Sequence, residues 1–389
     1  MKKILVVVPY NNGTIGSCSL NIFKSLCKIK DLEVKCVLIH KFKDGYKEFD
    51  DCDYCVNGSF IGVKRYTAFL KECLWLKNIK QSFNPDITIS TLFSCSTLSI
   101  LTGGKDKKIG VFHSPHTQVK CRGKVEYERT LWTYRYLYSR LDHLYCVSEE
   151  VKNSIVSTFP SINKNKVEVV YNIHNIERIK QLSKENLTAD DNKIFNNPVI
   201  LYCGRLDKNK APERLLKAFI AAKEISQSTQ LVYIGQDVSD LWESLQTIAK
   251  DAGIEERVHY LGMQSNPYKY MKRSAALVSC SYSEGLPGVL IESLLLGIPV
   301  VSTNSSVGVW EILNAYNDYN LNLDRCYKAK KGIITPNLGI SSLSSDNEKD
   351  IENLAYALDD IFSENYRNAP FEFEKNVKAE NVIDKFILN

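Results

Sequence analysis

Short apolar runs alternate with helix-patterned segments along the whole 389-residue chain, and the series stops and restarts at Pro198. The first series occupies residues 3–9, 34–40, 86–91, 108–113, 143–148 and 167–171. The second occupies 199–203, 230–234, 258–261, 276–280, 300–303 and 332–334. Runs this short and this uniformly apolar suit strands buried on both faces, as in parallel sheets covered by helices. The pattern predicts an α/β chain of two doubly wound domains, each long enough to bury its own core. It sets an N-terminal domain at 1–180, a polar connection at 181–197, a C-terminal domain at 198–368 and a terminal helical segment at 369–389.

Composition narrows the function classes. No run approaches the ~18 apolar residues of a membrane-spanning helix. The opening Met-Lys-Lys-Ile-Leu-Val-Val-Val has too short an apolar run for a secretory leader and reads as a first strand. The 12 cysteines are scattered, and Cys36, Cys146, Cys203 and Cys280 fall inside strand-like runs. The single C-x2-C pair, Cys52 and Cys55, lacks a second ligand pair, so the reading is free thiols in a reducing cytosol. Residues 1–180 hold 28 Lys+Arg against 17 Asp+Glu (+11), and the remainder 22 against 28 (−6), which together give the net +5. A basic first half implies an anionic partner or surface. Nucleic acid is not indicated, because no zinc finger, RNP-type aromatic motif or arginine-rich tail is present.

The chemistry concentrates in Ser283–Val301, Ser-Glu-Gly-Leu-Pro-Gly-Val-Leu-Ile-Glu-Ser-Leu-Leu-Leu-Gly-Ile-Pro-Val-Val, which reads as loop, buried helix and strand. Pro287 suits the first helical position, Gly297 closes the helix and Pro299 stops it. Gly285, Leu286 and Gly288 leave N–H groups uncovered at the helix start, a site for a diphosphate. Glu284 and Glu292 flank this cradle. Glu292 sits in a nearly all-apolar helix and so needs a partner. Upstream, Val-Ile-Leu-Tyr-Cys-Gly-Arg-Leu (199–206) carries Gly204 and Arg205 past a strand, with Lys210 five residues later; two cations there can neutralise a diphosphate.

Glu284 and Glu292, with seven residues between them, resemble the Glu-x7-Glu signature of the family-four (group 1) retaining glycosyltransferases of the bacterial surface-polysaccharide type. The 199–206 segment with Lys210 resembles that family's strand, Gly-Arg turn and lysine. Glu311 in Val-Gly-Val-Trp-Glu-Ile-Leu, followed by Gly-Ile-Ile-Thr-Pro (332–336), is a third match in the same order. The resemblance implies the GT-B fold: two Rossmann-like domains facing across a cleft, an acceptor-binding first and a donor-binding second, with the terminal segment crossing back. It assigns Arg205 and Lys210 to the leaving UDP or GDP, Glu284 to the donor sugar and Glu292 to the ribose. Gly204, Met263, Gly285, Leu286, Pro287, Gly288 and Glu311 join the donor set. In Asn11–Ser17, the loop before the first helix, Gly16 is the candidate contact, with Ser17 and Ser19 as caps; the family's paired glycines are split here. His113 at a strand end resembles a histidine that reaches the donor sugar, with His116 as its rival. Ser148 and Asn172 match less specifically, and Ser305, Ser306, Val307 and Gly308 stand where the family usually has a glycine pair.

The implied reaction moves a sugar from a nucleotide-sugar, in UDP form by family habit, to a hydroxyl of a lipid-linked or surface-polysaccharide acceptor with retention. It needs no cofactor beyond that substrate and no metal. The setting implied is cytoplasmic, with the inner face of the plasma membrane as an option. Two alternatives stay open: a GT-B sugar-nucleotide 2-epimerase and a non-catalytic sugar-nucleotide-binding subunit. Paired carboxylates alone would also suit a glycoside hydrolase, which has no use for the Arg-Lys pair. Asp51-Cys52-Asp53 reads as a solvated loop. Two basic, aromatic-containing helices, 64–80 and 120–140, suit either an anionic lipid surface or helices packing aromatics inward.

Overall fold

The computed structural model describes all residues except 12, 42–46, 50, 51, 56–64, 117–122, 321, 339–346, 363 and 389. Residue 12 of the first loop, Asp51 of the D-x-D, and the starts of both basic helices (64 and 120–122) therefore lie outside the described residues. The chain divides into two units, Met1–His174 with Asn376–Asn389, and Asn175–Lys375.

In the first unit the apolar runs form β1 (Lys2–Tyr10), β2 (Leu32–His40), β3 (Tyr54–Cys55), β4 (Ile87–Ser90), β5 (Lys107–Phe112), β6 (His143–Cys146) and β7 (Val167–Val169). They make one parallel sheet in the order β3-β2-β1-β4-β5-β6-β7. Ile4 to Val8 of β1 are fully buried, as expected of a strand covered on both faces. The helices are α1 (Gly13–Cys27), α2 (Arg65–Phe83), α3 (Phe93–Leu101), α4 (Lys124–Tyr136) and α5 (Glu149–Thr158).

The second unit begins with α6 (Ile176–Leu182) and α7 (Ala189–Phe195). These occupy most of the stretch that the sequence reads as a polar connection. Within it Thr188 caps α7 by accepting the N–H of Asp191, and ahead of it Asn175 caps α6 by accepting that of Arg178. The strands are β8 (Val199–Cys203), β9 (Gln230–Ile234), β10 (Val258–Tyr260), β11 (Ala276–Ser279), β12 (Val300–Thr303), β13 (Tyr327–Ala329) and β14 (Gly332–Thr335). Their order is β10-β9-β8-β11-β12-β14-β13, parallel except for the antiparallel β13. Both β3 and β13 are too short to announce themselves by periodicity. The helices here are α8 (Pro212–Ala221), α9 (Trp242–Asp251), α10 (Tyr268–Met271), α11 (Gly288–Leu295), α12 (Val307–Ile312), α13 (Glu348–Asp360) and α14 (Glu364–Asn368).

The end of the chain forms three short helices, α15 (Glu374–Val377), α16 (Ala379–Val382) and α17 (Lys385–Leu388), where a single helical segment is expected. Lys378 is extended (ψ 136°), which interrupts the helical path. These helices dock on the first unit: Tyr145 donates to Lys385 O at 2.6 Å and meets Phe386 edge-on at 5.2 Å. In each sheet the chain reverses its winding once, between β1 and β4 in the first unit and between β8 and β11 in the second. Ligands of open α/β sheets bind outside the carboxyl ends of strands at that switch. Among the described residues no helix is long and apolar enough to cross a membrane.

Candidate active site

The loops that leave β8 and β11, the two switch-point strands of the second unit, carry the charged candidates. Past β8, Gly204 N–H donates to Ile234 O at 2.9 Å and Leu206 N–H to Gln236 O at 2.9 Å, tying this loop to the one after β9. The approach requires glycine at 235. A Cβ there would lie 1.8 Å from Gly204 O, and its φ is +145°. Gly235 N–H in turn donates to Gly262 O at 2.9 Å, so the ends of β8, β9 and β10 are linked, and Met263 projects beside them, 65% exposed.

Arg205 is anchored by its carbonyl, which accepts the Tyr202 hydroxyl at 2.7 Å, while its guanidinium is exposed and lies 2.9 Å from Asp207. Asp207 also accepts the backbone N–H of Lys210 at 2.9 Å, which shapes the turn into α8. Lys210 forms an ion pair with Glu284, and Ser281 Oγ donates to the same carboxylate oxygen at 2.6 Å. Each cation predicted for a diphosphate thus has its own carboxylate, a neutral balance that a list of cations in sequence does not disclose.

α11 starts one residue later than expected. Pro287 is its N-cap, with ψ 97°, and Gly288 is its first residue. The N–H groups of Gly285, Leu286, Gly288 and Val289 meet no acceptor among the described residues. They present partial positive charge at the helix start. Gly297, φ +79°, closes the helix as expected. Glu292 accepts the Tyr268 hydroxyl at 3.1 Å; burial pushes its carboxyl up to about 7, and that hydrogen bond opposes the shift. The Cys203 thiol at the end of β8 is pushed up to about 12 by burial; Glu292 adds to the rise and Lys210 opposes it. Both charged residues therefore act on the same strand end.

α12 lies against the Glu284 loop. Glu284 N–H donates to Ser305 O at 3.1 Å, and a Cβ on Gly308 would lie 2.3 Å from Gly285 O. Gly308 thus supplies a close approach where the expected glycine pair is replaced by serines. Glu311 is buried on this short helix. Behind the loop, Asn337 Nδ2 donates to Tyr282 O at 2.9 Å, and Asn337 Oδ1 accepts Arg214 Nη1–H at 3.0 Å. Arg214 is fully buried, 3.5 Å from the buried Asp350 and 4.3 Å over the Tyr282 ring. Sequence reasoning missed Tyr268, Ser281, Gly308, Asn337 and Arg214. An arginine beside Leu215 and Leu216 reads as an ordinary helix surface cation, and nothing in its spacing marks it as buried.

In the first unit, His113 follows β5 and is half-buried, with Nε2 3.1 Å from Thr91 O; desolvation lowers its pKa to about 4. It is a neutral imidazole at ordinary pH. His116 is held by Ser154 at 2.7 Å and by rings of Phe159 and Tyr134, a packed position. Gly16 lies within α1, because that helix begins at Gly13; Ser17 and Ser19 are therefore helical residues and not caps. Ser19 Oγ donates to Ile15 O at 2.7 Å and to Thr91 Oγ1 at 2.6 Å. Ser148 caps α5, and Asp53 accepts the Cys36 N–H at 2.8 Å, a structural role.

Residues 183–322 match the family described as Glycosyl transferases group 1, and residues 33–178 match Glycosyltransferase Family 4. Both units of the chain are thus similar to glycosyltransferase families. An uncharacterized glycosyltransferase of Methanocaldococcus jannaschii is 34% identical over 203 residues, 52% of this chain and 49% of that protein. An N-acetylgalactosamine-N,N'-diacetylbacillosaminyl-diphospho-undecaprenol 4-alpha-N-acetylgalactosaminyltransferase of Campylobacter jejuni is 34% identical over 45% of each chain. The chain thus aligns with about half the length of these two relatives. Anabaena HepE, solved in complex with UDP and glucose, shares the fold with a TM-score of 0.67 at 15% identity, covering 99% of this chain and 98% of that one. The chain has the GT-B fold.

Proposed function

We propose that this glycosyltransferase moves a sugar from a UDP-sugar to a hydroxyl of a lipid-linked or surface-polysaccharide acceptor, with retention of configuration and without a metal. The observation that carries the reading is the Lys210–Glu284 ion pair at the β8–β11 switch point, beside the open N–H groups at the start of α11. A diphosphate competes with Glu284 for Lys210 and takes up the α11 N–H groups. The released carboxylate is then free to accept donor-sugar hydroxyls. Glu292, ionised, accepts the ribose hydroxyls, and Arg205 exchanges Asp207 for phosphate. Gly204 and Met263 border the nucleotide, and Glu311 supports the donor side. His113, by family resemblance, contributes a neutral hydrogen-bonding group toward the sugar, and Gly16 the close backbone approach. The acceptor hydroxyl attacks the anomeric carbon on the face the diphosphate leaves, its proton passing to the departing phosphate oxygen. The protein's share is position and charge stabilisation.

Support for a UDP donor comes from HepE, which binds UDP and glucose, and support for a lipid-linked acceptor from the diphospho-undecaprenol substrate named for the Campylobacter enzyme. The setting proposed is the cytoplasmic face of the membrane. In the first unit α2 exposes Leu70 and Leu74, and α4 exposes Val125, Trp132 and Tyr136, on helices that also carry Lys71, Lys77, Lys124, Arg129 and Arg135. Apolar tips among cations suit an anionic bilayer. Co-sedimentation with anionic but not neutral vesicles tests that part.

The deciding experiment is a thermal-shift panel of UDP-, GDP-, ADP- and TDP-sugars, with and without magnesium. UDP-sugars are expected to raise the melting temperature by several degrees without metal. No shift with any nucleotide, from folded protein, would reject the donor site. The anomeric configuration of the product, read by proton NMR coupling, decides retention.

A further inference from the structure

The loop that carries Glu284 is held at its backbone by other strand ends. Thr303 Oγ1 donates to Ser281 O at 2.6 Å, Asn209 Nδ2 donates to Ser283 O at 3.0 Å, and Tyr282 N–H donates to Asn209 O at 2.8 Å. The remaining clamp comes from below. Asn337 Nδ2 points its donors at Tyr282 O (2.9 Å), Asn304 O (3.4 Å) and Ser281 O (3.5 Å), so one amide spans the loops after β11 and β12. An amide can rotate to present either oxygen or nitrogen to those carbonyls. Here Arg214 Nη1–H, at 3.0 Å, requires the oxygen on its own side and so turns the nitrogen toward the loop. Arg214 has no exposed surface, and Asp350 lies behind it at 3.5 Å. Asp350 in turn accepts the Leu338 N–H at 2.9 Å, next in the chain to Asn337. A buried charge is costly unless paired, and a packed apolar residue would serve the core of α8 and α13 at least as well. What the charge adds is direction.

We propose that Arg214, Asp350 and Asn337 form a positioning relay for Glu284: the buried ion pair orients the Asn337 amide, which fixes the backbone of the β11 loop and so the carboxylate that meets Lys210. This rests on the reading of Glu284 as a donor-sugar residue. None of the three need touch the substrate. The relay matters because a misplacement of about 1 Å at the reacting centre costs on the order of a hundredfold in rate.

The test uses Asn337→Asp, which keeps the shape and the acceptor for Arg214 but replaces the donors with a charge facing three carbonyls, and Asn337→Ala as a second variant. Two readouts are taken on the full chain: transfer kinetics, and hydrogen exchange of the Glu284 amide, which is bonded to Ser305 O at 3.1 Å. Expected for both variants are a kcat lower by about tenfold or more, UDP affinity within about twofold, and faster exchange at Glu284 than in α8 or α13. In a Glu284→Ala background, Asn337→Asp should lower kcat by less than about twofold further, since no carboxylate remains to be placed. Unchanged kcat and unchanged Glu284 exchange in the variants would overturn the relay while leaving the transferase reading intact. If the unaltered protein neither binds sugar nucleotides nor transfers sugar, the functional reading fails. The exchange measurement still decides whether Asn337 holds the loop: faster exchange at Glu284 supports that, unchanged exchange overturns it. A uniform loss of stability with parallel losses in kcat and UDP affinity would mark the three residues as core structure and overturn the proposal.

Discussion

The two sheets share one winding scheme but place different chemistry at the same topological position. At the β8–β11 switch of the second unit the loops bear Arg205, Asp207, Lys210 and Glu284, all ionic and paired. At the β1–β4 switch of the first unit, Ser19 and Thr91 share a hydroxyl hydrogen bond at 2.6 Å, and His113 is neutral. A doubly wound sheet fixes where a ligand can sit; the loop residues decide whether that place favours an anion. The switch-point strands themselves do not separate the two units, since Ile4–Val8 of β1 and Val199–Leu201 of β8 are alike fully buried.

The sharpest way to break the comparison is to replace one candidate residue on each side. Lys210→Ala is expected to lower kcat about a hundredfold to a thousandfold, the scale of losing one preorganised charge at a leaving group. His113→Gln, which keeps a donor, should cost no more than about tenfold. The reverse ranking in steady-state kinetics would put the decisive chemistry on the neutral side. Arg205→Ala comes next: its guanidinium is 62% exposed, so a loss of about ten- to a hundredfold in kcat/KM is expected, with the melting temperature unchanged.

Glu292 gives a stability test of opposite sign to its functional one. Its carboxyl titrates near 7 in the folded chain and near 4.5 when unfolded, so the folded state binds the extra proton between those values. The protonated form's contribution is full below pH 4.5 and lost as pH rises through 7. Glu292→Gln, neutral throughout, is therefore expected to be the more stable protein at pH 8, by up to about 3 kcal/mol, while binding UDP more weakly. A lower melting temperature for the variant at pH 8 would contradict the buried carboxylate. A shift of the same size and opposite direction belongs to His113, lowered from 6.5 to about 4. The unfolded chain binds its proton first, so stability falls as pH drops from 6.5 toward 4, and His113→Gln should flatten that part of a melting-temperature profile.

How much was legible beforehand differs by residue. Arg205, Lys210 and Glu284 stand out as candidates because each lies beside an element whose apolar pattern is unmistakable, and Glu292 because it interrupts an apolar helix. Gly16 was placed in a loop because polar residues at 17 and 19 resemble caps, whereas α1 begins at Gly13 and Ser19 spends its hydroxyl on Ile15 and Thr91. The 181–197 segment looked like a connection because its Asn and Thr residues cap short helices, and caps and linkers share a composition. Asp207 as the partner of Arg205 lies two residues away and was within reach; Arg214 was not, since its burial depends on α13, more than a hundred residues further along.

By itself the sequence determined the two-unit α/β plan and the strand ends at which charge gathers, because hydrophobic periodicity and turn chemistry are local and survive without the fold. Only the tertiary structure decided which groups meet: that Lys210 is held by Glu284, that Tyr268 reaches Glu292, and that a buried arginine bonds the asparagine behind the Glu284 loop. Those pairings join residues 24 to 123 positions apart in the chain. Their geometry is set by sheet order and helix packing, which no local pattern encodes.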